Sequence, residues 1–317
     1  MKRFKNILLV SDHGAIGNAV FHRAASLATE NRAKLTLLEI IEEPREMQTF
    51  TGPARLEEVR KHAVRELQEH LDEVMAPVRA QGIETAARVL VGTPFIEIIR
   101  EVLRQKHDLV MMMAEGKSGL RDRLFGSTSL HLMRKCPCPV WVMKPKRGKT
   151  YARILAAVDP DSTDEKRNSL NVRIMDLATS LAEMEESQLH VLHVWSTWPK
   201  HFLSKHGNMS GREVDEMAGE IFARRKSELD DLISGYNLEE AGHQVHFVVG
   251  DPRTMIPHLA ATREVDLIVM GTVCRTGFAG FFIGNTAENV LQRVNCSVLV
   301  LKPQGFVSPV ELEDTCR

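Results

Sequence analysis

The sequence has few of the features that mark secreted, membrane-spanning or nucleic-acid-binding proteins. Five cysteines in 317 residues are too few, and an odd number, for a disulfide framework. The 41 lysines and arginines are balanced by 42 acidic residues, so bulk charge does not favour nucleic acid or anionic lipid. The longest apolar runs, such as 109–114, fall far short of the roughly 20 residues of a membrane-spanning helix. We therefore expect a cytoplasmic globular protein with no membrane span and no nucleic-acid partner.

Catalytic and metal-binding motifs are also scarce. No Walker A pattern is present, and the loops that would contain a Ser-Gly-Gly motif in an ATP pyrophosphatase read 11-SDHG-14 and 159-DPDS-162 instead. His13 beside Asp12 could act as a general base, but we interpret it as a surface-loop histidine, since no nucleophile accompanies the pair. Cys136 and Cys138 form a C-x-C pair without a second pair at zinc-site spacing. We expect no enzyme activity and interpret Cys138 as a buried apolar residue, with metal binding as the alternative.

The sequence does contain an internal repeat, which predicts the architecture. Four segments recur at a constant offset of 158 residues: 91–94 with 249–252, 108–111 with 266–269, 125–128 with 283–286, and 138–145 with 296–303. Asp12 matches Asp159 at the smaller offset of 147 residues. One module of about 150 residues is therefore used twice.

Within each module, short apolar runs alternate with helical patterns. Runs such as Ile7–Val10 and Val140–Met143 are apolar throughout, as expected of parallel strands buried on both faces. Between them, apolar residues from Leu56 to Val74 recur at spacings of three and four, which predicts an amphipathic helix. We therefore predict two α/β domains, 1–146 and 151–305, and a tail over 306–317. Each domain is predicted to be an open sheet of five parallel strands.

Three features of each module converge where such sheets bind ligands, beyond the carboxyl ends of the strands. Asp12 and Asp159 end the first strands, where a carboxylate could accept hydrogen bonds from a ligand or cap a helix. Glycines follow the fourth strands, among them Gly116 and Gly271. The pairs Gly126-Ser127 and Gly284-Asn285 open the next helices, where backbone amides favour an anion and the Ser or Asn side chain would cap. Asn285 with Glu288 has the spacing of a capping box.

The segment from Gly271 to Glu288 resembles the G-x2-G-x9-G signature of the universal stress protein family. The resemblance covers nearly the whole chain and is closest to tandem, two-domain members, which share the 284-GNTAE-288 segment and the 309-PVEL-312 tail. It implies Rossmann-like domains, similar to adenine-nucleotide α-hydrolases, that pack with pseudo-two-fold symmetry. It also implies a role in stress survival and the binding of ATP or a related adenine nucleotide. Carried onto this chain, the ligand-contacting residues are Asp12, Met112, Gly116, Gly126, Ser127, Thr128, Asp159, Val194, Met270, Gly271, Cys274, Gly284, Asn285 and Thr286.

The chain departs from this signature in both modules. Met113 occupies the first glycine position of module one, and Cys274 occupies the second glycine position of module two. A side chain at these positions would obstruct the approach of a phosphate. We therefore expect nucleotide-type pockets that are degenerate in one or both domains, with module two as the better site.

Two other functions remain open. Phe278, Phe281, Phe282 and Ile283 flank the signature, while Trp195, Trp198 and Phe202 follow the second strand of module two, so an amphiphilic or acyl-bearing ligand could bind there. Alternatively, the apolar fifth strands could pair within the chain as a pseudo-dimer, or between chains as a homodimer. The protein would then act by interaction with a partner and need no small ligand.

Overall fold

The chain folds into two units of similar architecture. A computed structural model describes residues 4–11, 19–42, 52–114, 125–144, 150–196, 210–272 and 284–312. Over these ranges the first unit comprises residues up to 144 together with 307–312, and the second comprises 150–272 and 284–306. Residues 307–312 contact the first unit through Arg100, whose Nε donates a hydrogen bond to the carbonyl of Glu311.

The first unit is an open parallel sheet with helices along it. Its strands are β1 Asn6–Val10, β2 Lys34–Ile41, β3 Thr85–Val91, β4 Leu109–Met113 and β5 Val140–Met143. Its helices are α1 Ala19–Asn31, α2 Pro53–Ala80, α3 Pro94–Gln105 and α4 Ser127–Lys135. The strands lie in the order β3-β2-β1-β4-β5, and each neighbouring pair is parallel.

The second unit repeats this topology. Its strands are β6 Arg153–Val158, β7 Gln188–Trp195, β8 Gln244–Val249, β9 Leu267–Gly271 and β10 Ser297–Leu301. Its helices are α5 Glu165–Glu185, α6 Gly211–Ile233, α7 Pro252–Thr262 and α8 Asn285–Arg293. The strand order is β8-β7-β6-β9-β10, again parallel throughout. The predicted class, two tandem α/β units with open five-stranded parallel sheets, is confirmed.

Burial of the strands explains why their sequences are apolar throughout. Every residue of β5 and of β10 is buried, and so are the central residues of β1 and β6. Helix α1 packs on β1, β2 and β4, while α5 packs on β6, β7 and β9. Side chains on both faces of each central strand therefore lose contact with water, and the alternation typical of half-exposed strands is absent.

Helix α2 forms where the sequence predicts it, but only its second half is buried. Leu71, Met75 and Val78 lie in the core, whereas Val59 is 47% exposed. The predicted helix is therefore present, and the apolar residue Val59 of its first half lies at the surface. The helix has 28 residues and packs mainly on β3, which has only seven, so it is much longer than the strand that could cover it.

In each unit, a glycine follows the third strand and begins the turn that leads into the next helix. Gly92 has a φ of +148° and Gly250 a φ of +159°, values that L side chains rarely adopt. Their amides donate to the carbonyls of Ile41 and Trp195 at the ends of the neighbouring strands. A proline then occupies the first position of α3 and of α7. It is tolerated there because a backbone N–H in the first turn of a helix has no intrahelical partner.

Candidate functional site

The strand order reverses between β6 and β9 in the second unit, and a crevice at this point is the expected place for a ligand. Asp159 directly follows β6 there, and its side chain is 41% exposed. Its Oδ1 lies 3.9 Å from Nδ1 of His193, and its Oδ2 lies 3.9 Å from Nη1 of Arg167. The carboxylate is therefore accessible and lies beside the guanidinium of Arg167.

Asp159 does not cap the following helix. The N-cap of α5 is Asp164, whose Oδ1 accepts a hydrogen bond from the amide of Arg167 at 3.0 Å. The capping interpretation of Asp159 is therefore wrong, because five residues lie between Asp159 and the first residue of α5. Its own amide donates to Oδ1 of Asn171 at 2.9 Å, which fixes the backbone at the strand end.

His193 lies beneath this strand end and is buried. Its Nδ1 lies 3.1 Å from the carbonyl oxygen of Val158, so Nδ1 carries the proton and donates it. Burial lowers the pKa of His193, although the bond to Val158 and the charge of Asp159 oppose the shift. The ring is therefore neutral at pH 7. Among the described residues, its Nε2 has no hydrogen-bond partner.

His190 lies on the opposite face of β7 from His193, as the sequence predicts for residues three apart on a strand. The His190 ring stacks on the His246 ring, and Nδ1 of His190 lies 3.0 Å from Nε2 of His246. The His193 ring instead contacts Phe247. The two strand histidines therefore cannot act on the same ligand or metal.

The loop after β6 is held by side chains from α5 and α6. Asp161 accepts hydrogen bonds from Arg167 at 2.6 Å and from Arg225 at 3.3 Å. Glu228 accepts from Arg225 and from both the amide and the hydroxyl of Ser162. Each of these polar groups is saturated by the others, so the network makes the loop beside Asp159 rigid.

Electrostatics reinforces this network. Burial alone would raise the pKa of Asp161, but hydrogen bonds from Thr163 and the charges of Arg225 and Arg167 lower it to about 2. Burial likewise opposes ionisation of Glu228, yet the bonds from Ser162 and the charge of Arg225 lower its pKa. Both carboxylates are therefore ionised at neutral pH. No local pattern in the sequence predicts this network, because Arg225 lies 64 residues after Asp161; the sequence shows two adjacent arginines near an acid in what becomes α6.

Gly271 is the last residue of β9, where a helix crosses closely. A Cβ atom at this position would lie 2.7 Å from Cδ2 of Leu170 on α5. The glycine therefore has a packing role, in addition to any approach to a ligand. Next to it, the buried hydroxyl of Thr272 accepts a hydrogen bond from Nζ of Lys302, which is also buried.

Helix α8 begins with glycine as its N-cap, and α4 does the same. Gly284 and Gly126 adopt extended conformations, and their carbonyls accept the first helical hydrogen bonds, from the amides of Glu288 and Leu130. Asn285 and Ser127 are consequently the first helical residues, and neither caps its helix. The predictions of side-chain capping by these residues and of a capping box with Glu288 are wrong. A glycine N-cap brings no side chain, so the first turn can present its amides to an anion.

The remaining predicted site residues fall into three groups. Val194, Met270 and Met112 are buried strand residues, so a ligand at the strand ends would meet their backbone atoms rather than their side chains. Thr286 and Thr128 lie in the first turns of α8 and α4. Asp12, Gly116 and Cys274 lie outside the described residues.

Aromatic side chains line the second unit near the end of β7. Trp195 packs edge-on against Phe222 of α6 with ring centroids 5.4 Å apart, and Phe222 packs in the same way on Phe247. The other apolar candidates, Trp198, Phe202, Phe278, Phe281, Phe282 and Ile283, lie outside the described residues.

The described parts of the chain lack the side-chain groups of a metal site and the helices of a membrane span. They contain no group of three or more histidine, cysteine or acidic side chains placed to hold a metal ion. Within them, no helix combines the length and the apolar character needed to cross a bilayer. Cys136 and Cys138 are buried, as predicted for Cys138.

Comparison with known proteins gives consistent matches over the whole chain. The model of the universal stress protein family matches residues 3–144 and again 150–302. Universal stress protein E of Salmonella typhi is 29% identical over 318 residues, covering 99% of each chain. The homologue from Haemophilus influenzae is 27% identical, covering 95% of this chain and 98% of its own.

Solved structures show the same architecture. A protein of unknown function from Pseudomonas aeruginosa superposes with a TM-score of 0.70 at 25% identity, covering 95% of this chain and 94% of its own. A universal stress protein from Archaeoglobus fulgidus superposes with a TM-score of 0.61 at 19% identity, covering 95% and 99%. The second likeness concerns the fold alone.

Proposed function

Because the chain belongs to the universal stress protein family, we propose that it binds an adenine nucleotide in its second unit and acts through this binding rather than by catalysis. The observation that carries the proposal is the accessible carboxylate of Asp159 at the strand-order reversal, together with the glycine N-cap of α8 at the same edge of the sheet. A carboxylate can accept hydrogen bonds from ribose hydroxyls or an adenine amine. An uncapped helix N-terminus favours phosphate.

The network around Asp161 supports binding rather than chemistry. Ser162 donates a hydrogen bond to Glu228, and three arginines, Arg167, Arg224 and Arg225, donate to Asp161 or to Glu228. The Glu228 carboxylate that accepts from the Ser162 hydroxyl also pairs with arginines and has a lowered pKa, which makes it a weak base, so the network favours holding the loop over activating a nucleophile. A rigid loop also lowers the entropy that a ligand would lose in ordering it.

The second unit is the better candidate of the two. Gly271 ends β9, whereas the matching position at the end of β4 is Met113. A methionine side chain at the strand end takes up space where a phosphate would approach. We therefore assign the first unit the more degenerate pocket.

An amphiphilic ligand is the second candidate, favoured by one observation. The rings of Trp195, Phe222 and Phe247 form a continuous aromatic cluster beside the same strand end. Such a cluster suits an apolar group attached to a polar head.

Calorimetric titration of the full chain with ATP and with AMP tests the proposal. We expect one binding event per chain, weakened about tenfold by Asp159→Asn, since one charge-assisted hydrogen bond contributes about 1.4 kcal/mol. The control is Asp230→Asn, which removes an exposed carboxylate that pairs with Lys226 one turn away on α6. Absence of binding by either nucleotide, or equal affinity in Asp159→Asn and wild type, would overturn the proposal.

The same titration ranks the two units. Gly284→Val and Gly126→Val each place a branched side chain at the N-cap of one candidate helix. We expect Gly284→Val to abolish the binding event and Gly126→Val to leave it. The reverse result would transfer the site to the first unit.

A further inference from the structure

Two thiols touch in the core of the first unit, away from the candidate ligand site. Cys136 is the C-cap of α4, and Cys138 follows it across a single proline, just before β5. Their sulfur atoms are 3.5 Å apart, and neither is in a disulfide. Both side chains are buried, with Cys138 8% exposed and Cys136 completely enclosed.

The second unit provides a natural comparison. Cys296 stands at the position of Cys138, at the same offset of 158 residues, and it is also buried. Val294 stands at the position of Cys136. The same turn between a helix and the fifth strand of the unit therefore carries a thiol pair in one unit and a single thiol in the other. Packing alone is satisfied by valine at this position.

We propose that Cys136 and Cys138 are a site of reversible oxidation, at which a hydroperoxide converts the thiol pair to an intramolecular disulfide. One thiol attacks the hydroperoxide; an S–O bond forms, the O–O bond breaks, and the alcohol, or water from hydrogen peroxide, leaves. The second sulfur then attacks the sulfenic sulfur; the S–S bond forms, the S–O bond breaks, and the hydroxyl leaves with the thiol proton as water. In total the two thiols lose two electrons and two protons to the hydroperoxide.

The geometry favours the second step over further oxidation. A sulfenic acid on either residue has its resolving thiol already in contact, so closure of the ring competes with a second oxidant molecule. The ring spans only three residues and is strained, which makes the disulfide easy to reduce again.

Because both thiols are buried, the hydroperoxide can react with them only when the turn between α4 and β5 opens. The hydrogen bond that the Cys138 thiol donates to Cys136, together with burial, raises the pKa of Cys138, so little thiolate is present in the closed state. Oxidation is therefore slow in the resting fold and accelerates when the end of α4 opens locally. The site responds to an oxidant and to loosening of the fold together.

Peptide mass spectrometry tests the proposal directly, because both cysteines lie in one tryptic peptide, 136–146. The full-length protein carries Cys274→Ser and Cys316→Ser, so that three thiols remain. It is treated with hydrogen peroxide, blocked with N-ethylmaleimide and digested. We expect the 136–146 peptide to lose two hydrogen atoms and to escape blocking, with the Cys296 peptide blocked in the same digest. Dithiothreitol should restore both thiols, and urea below the unfolding transition should increase the rate several-fold.

Two variants serve as matched controls. Cys136→Val gives the first unit the valine and cysteine that the second unit has at these positions. Its remaining thiol, Cys138, should still react with N-ethylmaleimide after peroxide treatment. Val294→Cys creates a second C-x-C pair, which should form an intramolecular disulfide when the protein is treated with peroxide. The proposal is overturned if the wild-type pair ends as sulfinic or sulfonic acids, or if it keeps both thiols at a peroxide dose that oxidises Cys296.

Discussion

The Cβ atom that Gly271 lacks would lie 2.7 Å from Cδ2 of Leu170, across the contact between β9 and α5. This distance is shorter than any stable carbon–carbon contact, so an alanine here must displace the leucine side chain. A glycine in the family signature thus has a structural reason that does not depend on a ligand. The corresponding strand end in the first unit carries Met113, and the two strand ends must therefore pack differently.

A double-mutant cycle on this pair measures the packing contribution. We expect Gly271→Ala to cost about 1–2 kcal/mol of unfolding free energy in the second unit through overpacking, and Leu170→Ala about 2–3 kcal/mol through a cavity. In the double variant the new methyl group enters the space that the leucine left, so the combined cost should fall below the sum by about 1 kcal/mol. Urea unfolding measures all four proteins. Additive costs would show that Leu170 does not restrict position 271.

The second prediction concerns Arg225, which joins two carboxylates that have little exposure. Arg225→Met should cost about 1–3 kcal/mol, because Glu228 and Asp161 then lose a shared cation. The neighbouring Lys226→Met is the control, since it breaks an exposed pair with Asp230 and should cost less than about 0.5 kcal/mol. Equal losses in the two variants would mean that the network does not stabilise the loop.

The third prediction concerns the acid response of Asp161. Its pKa in the folded protein is about 2, against an ordinary value of 3.8, so its ionised form stabilises the fold above pH 4 and this contribution disappears as the pH falls toward 2. The contribution is about 2 kcal/mol at pH 7. Asp161→Asn should therefore be less stable than wild type at pH 7 and should approach it near pH 2. A stability difference that does not change with pH would contradict the assignment.

The fourth prediction concerns the His190–His246 pair. Burial, followed by the charges of His246 and Arg263, lowers the pKa of His190 to about 4. In the unfolded chain the ring titrates near pH 6.5, so the stability that neutral His190 confers is complete above pH 6.5 and decreases as the pH falls toward 4. His190→Thr, which copies Thr36 at the matching place in β2, should reduce the pH dependence of amide hydrogen exchange in β7 and β8 over this range.

A histidine in the other unit provides the control for this experiment. Burial also lowers the pKa of His107, just before β4, to about 4. His107→Gln should alter the pH dependence of exchange in the first unit and leave that of β7 and β8 unchanged. If His190→Thr leaves the slope in β7 and β8 unchanged, the pair does not control the acid response of the second unit.

The sequence was sufficient to predict the fold because the repeat and the buried strands leave strong local patterns. Runs such as Ile7–Val10 can only be strands or short buried segments, and the turn glycines Gly92 and Gly250 mark where the third strands end. The long-range contacts were not predictable in this way. The pairing of Arg225 with Asp161, and of Gly271 with Leu170, depends on which helix crosses which strand end, and no spacing in the sequence encodes that crossing.

The site was predicted less completely than the fold, because local motifs allow several helix starts. Asp159 and Asp164 are both suitable N-caps, and only the structure shows that α5 begins after the second. At α8 the asparagine is the stronger capping residue by preference, yet the helix begins one residue earlier in the chain, with Gly284 as its cap. These choices decide which carboxylate and which amides a ligand could meet.

The mass of the small molecule that leaves the full-length protein on mild denaturation tests the central claim most directly. The protein is purified without added nucleotide, and wild type is compared with Asp159→Asn and with the Asp230→Asn control. We predict an adenine nucleotide from wild type and from Asp230→Asn, and a markedly smaller amount from Asp159→Asn. A lipid or acyl compound released in its place would favour the aromatic cluster as the site, and release of no small molecule from any of the three proteins would contradict the account.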